Sequence, residues 1–217
     1  MNTTKIIVTA LLGFFINAAS AQQNSANIGY SSDYFYRGAA VAEESVQSSI
    51  GTSYELSSVT LSAGAFTNQA VENGSDVYIL SAGASKSFAD ELVSIYGGLN
   101  HVEDVDGASL FEFALSGELN TLLSPTVNLY RSFDDDLFTW EIGVSHKLDL
   151  ESIGVCLHAL YGESELSEVL DSEYFTAGAN ASTGLSDNAE LVLSADYIDS
   201  DVSNDEWIFG GAISIRF

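Results

Sequence analysis

The sequence predicts an all-β protein, an antiparallel up-and-down transmembrane β-barrel of about twelve strands. Three observations predict it. Apolar and polar residues alternate with period two through nearly the whole of the 217-residue chain. The alternating segments are roughly 9–11 residues long, the length a tilted strand needs to cross a bilayer. The side opposite the aliphatic one is mostly Gly, Ala and Ser with isolated charges, so it is not the second apolar face that a soluble sandwich would bury.

Composition removes several other classes. Acids outnumber bases 31 to 6, for a net charge of -25 and a pI near 4.1. That balance leaves no basic footprint for nucleic acid. A single Cys allows no internal disulfide framework and no Cys-rich metal site. A hydrophobic content of 46% is too high for a disordered acidic tail.

Residues 1–21 read as a cleaved signal peptide. Lys5 precedes the apolar run from Ile6 to Ile16, and Ala19-Ser20-Ala21 gives the small-x-small pattern of a cleavage site. The run is shorter than the about 20 residues a spanning helix needs. No Cys follows it, so no lipoprotein anchor is expected. Residues 22–217 form the single barrel domain, which the signal directs through the inner membrane to the bacterial outer membrane.

Strands are predicted near 26–37, 44–54, 58–69, 76–87, 91–102, 107–118, 124–133, 137–148, 152–163, 173–183, 189–199 and 206–217. The last is the clearest: Trp207, Phe209, Ile213, Ile215 and Phe217 share one face, and Ile208, Gly210, Ala212, Ser214 and Arg216 the other. In the eighth, Phe138, Trp140, Ile142, Val144 and Leu148 oppose Glu141, Gly143, Ser145 and Lys147. In the ninth, Ile153, Val155, Leu157 and Tyr161 oppose Gly154, Cys156 and His158. With both ends in the periplasm, odd-numbered connections lie outside the cell. Most of the acids collect there, and the longest connector, between Glu163 and Glu173, falls there too. Aromatics cluster at the same strand ends (Tyr34, Tyr36, Phe66, Tyr78, Phe111, Trp140, Tyr161, Trp207, Phe209), as an interfacial girdle should.

The alternation places Asp33, Glu112, Glu141 and Asp196 in the outer half of the lumen, with Arg37 at the mouth and Lys147 and Arg216 inward near the periplasmic end. Such a passage would enrich cations; alternatively, the charges pair across the lumen and stiffen the wall. Small neighbours such as Ser49, Gly64, Gly143 and Ser214 favour an open lumen over a packed plug. Arg131 shares a face with Val127 and Leu129, so it points to lipid unless a bulge turns it inward.

No catalytic residues and no cofactor are expected. Ser145 and His146 are adjacent and point to opposite faces, so they form no nucleophile–base pair. His158 reads as a lone lumenal polar residue, and His101 as solvated beside Glu103 and Asp104. Asp134, Asp135, Asp136, Asp199 and Asp201 are weak candidates for a divalent cation. They lack the spacing of a dedicated calcium loop, and solvated charge is their default role.

The run Ser32-Asp33-Tyr34-Phe35-Tyr36-Arg37-Gly38 resembles the N-terminal signature of the TorF-like (Gcw_chp) family of proteobacterial outer-membrane porins. Gln47-Ser48-Ser49-Ile50-Gly51 and Leu61-Ser62-Ala63-Gly64-Ala65-Phe66 are similar to its next two strands, and Asp76-Val77-Tyr78 with Ala82-Gly83 to its fourth. Phe217 looks like the terminal aromatic read by the barrel-assembly machinery. The resemblance implies an outer-membrane barrel and, loosely, a porin, and it brings no substrate. Ala39-Ala40-Val41 replaces the more polar stretch usual after Arg-Gly, so no first-loop contacts carry over.

Two functions follow. The first is a small porin passing hydrophilic solutes or ions with a weak cation preference. The second is a closed structural or surface-interaction barrel, which bulky residues folded into the lumen would favour. The expected partners are outer-membrane lipid, lipopolysaccharide and the assembly machinery.

Overall fold

The computed structural model describes residues 22–104, 109–134, 136–167 and 170–217. The segment read as a signal peptide lies outside the described residues. The described residues form twelve strands: β1 (Gln22–Tyr36), β2 (Ala39–Leu56), β3 (Val59–Ala70), β4 (Val77–Phe88), β5 (Val93–Asp104), β6 (Ser109–Leu119), β7 (Thr126–Ser132), β8 (Phe138–Leu150), β9 (Ile153–Ser167), β10 (Leu170–Ser186), β11 (Ala189–Ser200) and β12 (Glu206–Arg216). Each pairs antiparallel with its sequence neighbours, and β1 pairs with β12, so the sheet closes on itself. Closure leaves no free strand edge, the condition for holding a sheet in hydrocarbon.

The pleat sorts the side chains as the alternation predicts. Ile28, Leu99, Phe113, Leu115, Ile142, Leu157, Leu193, Trp207 and Phe209 are all exposed on the outward face. Many face one another across strands, such as Leu99 opposite Phe113 and Leu115 opposite Leu129. An apolar surface of this extent is what acyl chains cover. On the inward face Gly51 is followed by Gly64 and Ser81, and Gly83 by Gly98 and Ala114.

The start of β1 and the end of the chain lie at one end of the barrel, where Phe217 and Asn24 exchange backbone hydrogen bonds of 3.1 and 3.2 Å. At the opposite, far end two connections differ from the sequence expectation. The strand predicted to begin near residue 44 begins at Ala39, and the first far connection is only the turn Arg37–Gly38. The long connector between Glu163 and Glu173 is mostly strand, with Glu165 opposite Asp171. A ladder beyond the membrane needs no apolar face, so hydropathy carries no mark of where it stops.

The β1–β2 hairpin leaves the wall. β1 pairs with β12 only as far as Ser31 opposite Gly210, and β2 pairs with β3 only from Ser45 opposite Ala70. Residues 32–44 form a strand ladder only with each other, from Asp33 opposite Glu43 to Tyr36 opposite Ala39. A register shift between Tyr34 and Phe35 marks the bend on β1, and Glu44 at φ 45° marks it on β2. Arg37 (φ 52°) and Gly38 (φ 82°) are both left-handed, as a two-residue hairpin turn matched to strand twist demands.

Candidate functional site: the lumen and its inserted hairpin

The hairpin tip crosses the barrel. One terminal nitrogen of Arg37 donates to both carboxylate oxygens of Glu112 on β6, at 2.5 and 2.6 Å. β6 stands far round the barrel wall from β1 and β2. The Arg37 side chain is 12% exposed and that of Glu112 1%. The guanidinium also lies 4.2 Å from the Tyr130 ring centroid and 4.8 Å from that of Tyr36. Asn100 donates to the same Glu112 at 2.9 Å, so both oxygens of the buried carboxylate are satisfied.

Fixings on both flanks hold the hairpin in place. Ser200 and Ser203 donate to the Gly38 carbonyl at 2.8 and 3.3 Å, and the Ala40 amide donates to Ser203 Oγ at 3.1 Å. On the other flank, Ala42 bridges Gly74, the Glu43 amide donates to the Asn73 carbonyl at 2.8 Å, and the Ser75 amide donates to the Val41 carbonyl at 3.0 Å. Two glycines permit this seating. A Cβ on Gly38 would lie 2.5 Å from Ser172 Oγ and 2.6 Å from the Tyr174 ring, and one on Gly74 (φ 115°) would lie 2.2 Å from the Val41 carbonyl.

A ring of buried residues surrounds the tip: Ser31, Ser45, Asn68, Val77, Glu112, Ser132, Thr139, Ser164, Ser172, Tyr174, Ile198 and Ser200. The hairpin tip thus occupies part of the far half of the lumen, where the small wall residues suggest open space. The two are complementary: small wall residues leave room, and the hairpin takes it up. Below the ring the lumen opens into a cavity of about 950 Å³ lined by Ser25, Gly51, Ser62, Gly64, Ser81 and Arg216.

The charged residues read from the sequence divide as follows. Glu112, Glu141 and Asp196 point inward in the far half. Glu141 accepts from Tyr174 Oη at 2.7 Å and from Asn128 Nδ2 at 3.0 Å. Lys147 and Arg216 lie on the inward face toward the terminus end, opposite Cys156 and Ser25. Asp33 is displaced from the lumen wall. Tyr34 takes the inward side, its ring 5.8 Å from lumenal Phe66, while Asp33 lines a recess of about 380 Å³ at the far end with Glu43, Asn73 and Glu206.

Other readings are also corrected. Tyr34, Tyr36 and Phe66 belong to the lumen filling and not to a girdle: the hairpin bend turns the two tyrosines inward, and Phe66 follows Ser62 and Gly64 on the inward face of β3. His158 is not alone: its Nε2 lies 2.7 Å from Asp196 Oδ1. Arg131 faces outward opposite Phe113, without a bulge, and pairs with Asp136. His101 shares that outward face and stands 4.0 Å from Glu103.

Among the described residues, no three His, Cys, Asp or Glu side chains converge as metal ligands. Asp134 accepts from the Phe111 amide, Asp201 from the Glu173 amide, and Asp135 lies outside the described residues. Asp199 stands on the outward face opposite Phe175.

Asn100, Asn128, Tyr130 and Tyr174 are lumenal partners that sequence reasoning did not single out. The available signal was bulk: Tyr130 and Tyr174 fall on the small-residue face of their strands, where a large ring needs a space to fill.

No family model and no curated protein matches the chain by sequence. Its fold is that of solved outer-membrane barrels. The KdgM porin, solved in complex with disordered oligogalacturonate, superposes with a TM-score of 0.60 at 12% identity, over 90% of this chain and 99% of KdgM. The COG4313 outer membrane channel from Pseudomonas putida F1 gives 0.62 at 9% identity, over 93% and 97%. The β domain of the Bordetella autotransporter BrkA gives 0.52 at 13% identity, over 92% and 100%. The class is thus the closed twelve-stranded antiparallel barrel of outer-membrane porins and channels. At these identities the likeness is one of architecture, and function is argued from the site.

Proposed function

We propose that this chain is a porin-like channel of the bacterial outer membrane. It passes small hydrophilic solutes or ions and is held shut, or nearly so, by its β1–β2 hairpin. One observation carries the reading: the terminus-end half of the lumen holds a cavity of about 950 Å³ whose lining includes Ser25, Gly51, Ser62, Gly64 and Ser81 together with Gln22, Asn24 and Arg216. The termini face the periplasm and the far end faces outside, where Glu43, Glu103, Glu163, Glu165, Asp171 and Asp201 concentrate negative charge. That charge favours cations. An anionic oligosaccharide such as KdgM's oligogalacturonate is a poor solute for this mouth.

The outward aromatics meet lipid and lipopolysaccharide, residues 1–21 are the export signal, and Phe217 is the contact for the assembly machinery. The TorF-like run gains a physical role in this reading, since its Arg37-Gly38 pair is the hairpin turn.

The hairpin in the far half supports a second reading, a closed barrel without transport. Planar-bilayer recording of the refolded wild-type barrel separates the two. The channel reading expects small, brief openings with a potassium-over-chloride preference, and Lys147→Glu with Arg216→Glu should raise that preference. Complete silence under all voltages selects the closed barrel.

A further inference from the structure

Resting on the channel reading, we propose that residues 32–44 are a displaceable plug latched by Arg37. The seat of that latch, Glu112 with Tyr130, is a binding site for guanidinium and amine solutes. Three observations carry this.

The hairpin stands outside the wall ladders. β1–β12 pairing stops at Ser31 and β2–β3 pairing at Ser45, so moving it breaks none of that pairing and, besides the latch, costs only its flank hydrogen bonds to Ser200, Ser203 and the 71–75 connection. The bends at Tyr34–Phe35 and at Glu44 are the hinges.

The seat mixes hydroxyls with aromatic rings: Ser172 and Ser200 stand beside Gly38, and the Tyr130 and Tyr174 rings flank the tip. Two groups in it, the Asn68 side-chain amide and Ser172 Oγ, are buried without a hydrogen-bond partner while the hairpin is in place. Ser172 lies directly beneath Gly38. Buried polar groups left unpaired favour any state that hydrates them, and water entering the vacated lumen would do so.

The latch is a cation held by a carboxylate and an aromatic face. Glu112 is almost fully buried, and its counter-ion comes from the hairpin itself. With Arg37 withdrawn, an anionic carboxylate remains beside the Tyr130 ring and Asn100, an arrangement that recognises a planar or ammonium cation. A solute of that class entering from the acidic mouth competes with Arg37 for the same carboxylate, and binding of the solute keeps the hairpin out.

The test is planar-bilayer conductance of folded, heat-modifiable barrels, with guanidinium chloride at millimolar concentration as the probe. Arg37→Ala should conduct several-fold more than wild type. Guanidinium should bind the vacated seat of that variant and lower its conductance, with no effect on the Arg37→Ala, Glu112→Gln double variant. A cross-link supplies a second measurement that leaves Arg37 in place. Ala40→Cys with Ser203→Cys joins the hairpin to the β11–β12 loop, and openings should vanish once the disulfide has formed and return with reductant. Equal conductance of Arg37→Ala and wild type overturns the proposal. So does guanidinium block that persists in the double variant, or openings unchanged by the disulfide. These results leave the channel reading standing, whereas silence of every variant removes the channel and the plug together.

Discussion

His158 on β9 and Asp196 on β11 meet 2.7 Å apart across an intervening strand. The residue between them on β10 is Gly178, opposite both in register. A Cβ at that position would sit 1.9 Å from Asp196 Oδ1. The absence of a side chain on the middle strand is therefore what allows side chains of the two flanking strands to meet over its surface.

Gly178→Ala should break this contact. The added methyl group forces Asp196 to another rotamer, and overpacking of this kind costs about 1–3 kcal/mol. Urea unfolding of the detergent-solubilised barrel, followed by the fluorescence of Trp140 and Trp207, measures it. His158→Ala in the Gly178→Ala background should add little, because the pair is already lost. Full additivity of the two changes would show that the contact contributes nothing.

Removing one partner of the Arg37–Glu112 pair leaves a buried charge uncompensated, a defect of about 3–5 kcal/mol in general. In this barrel the hairpin absorbs it by leaving its seat. Arg37→Ala should therefore accelerate amide hydrogen exchange across residues 33–44, while amides of the wall ladder, such as those of Leu115 and Leu157, keep their protection. Exchange that rises throughout the barrel would mean the pair holds the wall itself.

Leu115 and Ser116 are neighbours on β6 with opposite surroundings: Leu115 is exposed outward, and Ser116 donates to Asn128 inside the lumen at 2.8 Å. Leu115→Arg should destabilise the folded barrel in lipid by about 2–4 kcal/mol if the residue lies near the bilayer midplane. Ser116→Arg should cost much less, since its side chain enters the polar lumen. Equal costs would mean the outward face does not meet hydrocarbon.

The comparison of sequence with structure turns on where one force acts alone. Along the wall, acyl chains accept only apolar side chains, so the period-two pattern of segments such as Phe138–Leu148 reports directly which face is outward. That pattern placed Glu112, Glu141, Lys147 and Arg216 on the inward face without any coordinates. Asp33 escaped the same logic because its alternation continues while the backbone beneath it bends away from the wall. The extent of β9 and β10 escaped it as well, since Ser164, Glu165 and Asp171 pair as strand in a region where no lipid selects their character.

Antiparallel order, the greasy outward surface and a strand number of about twelve were legible in the linear pattern alone, because each depends on residues close in sequence or on a solvent common to all strands. Occupancy of the lumen was decided by closure of the barrel. Arg37 and Glu112 are separated by 75 positions and meet only when twelve strands have set the diameter that a bent hairpin must span. No local rule encodes that distance, so the meeting of these two charges belongs to the tertiary structure.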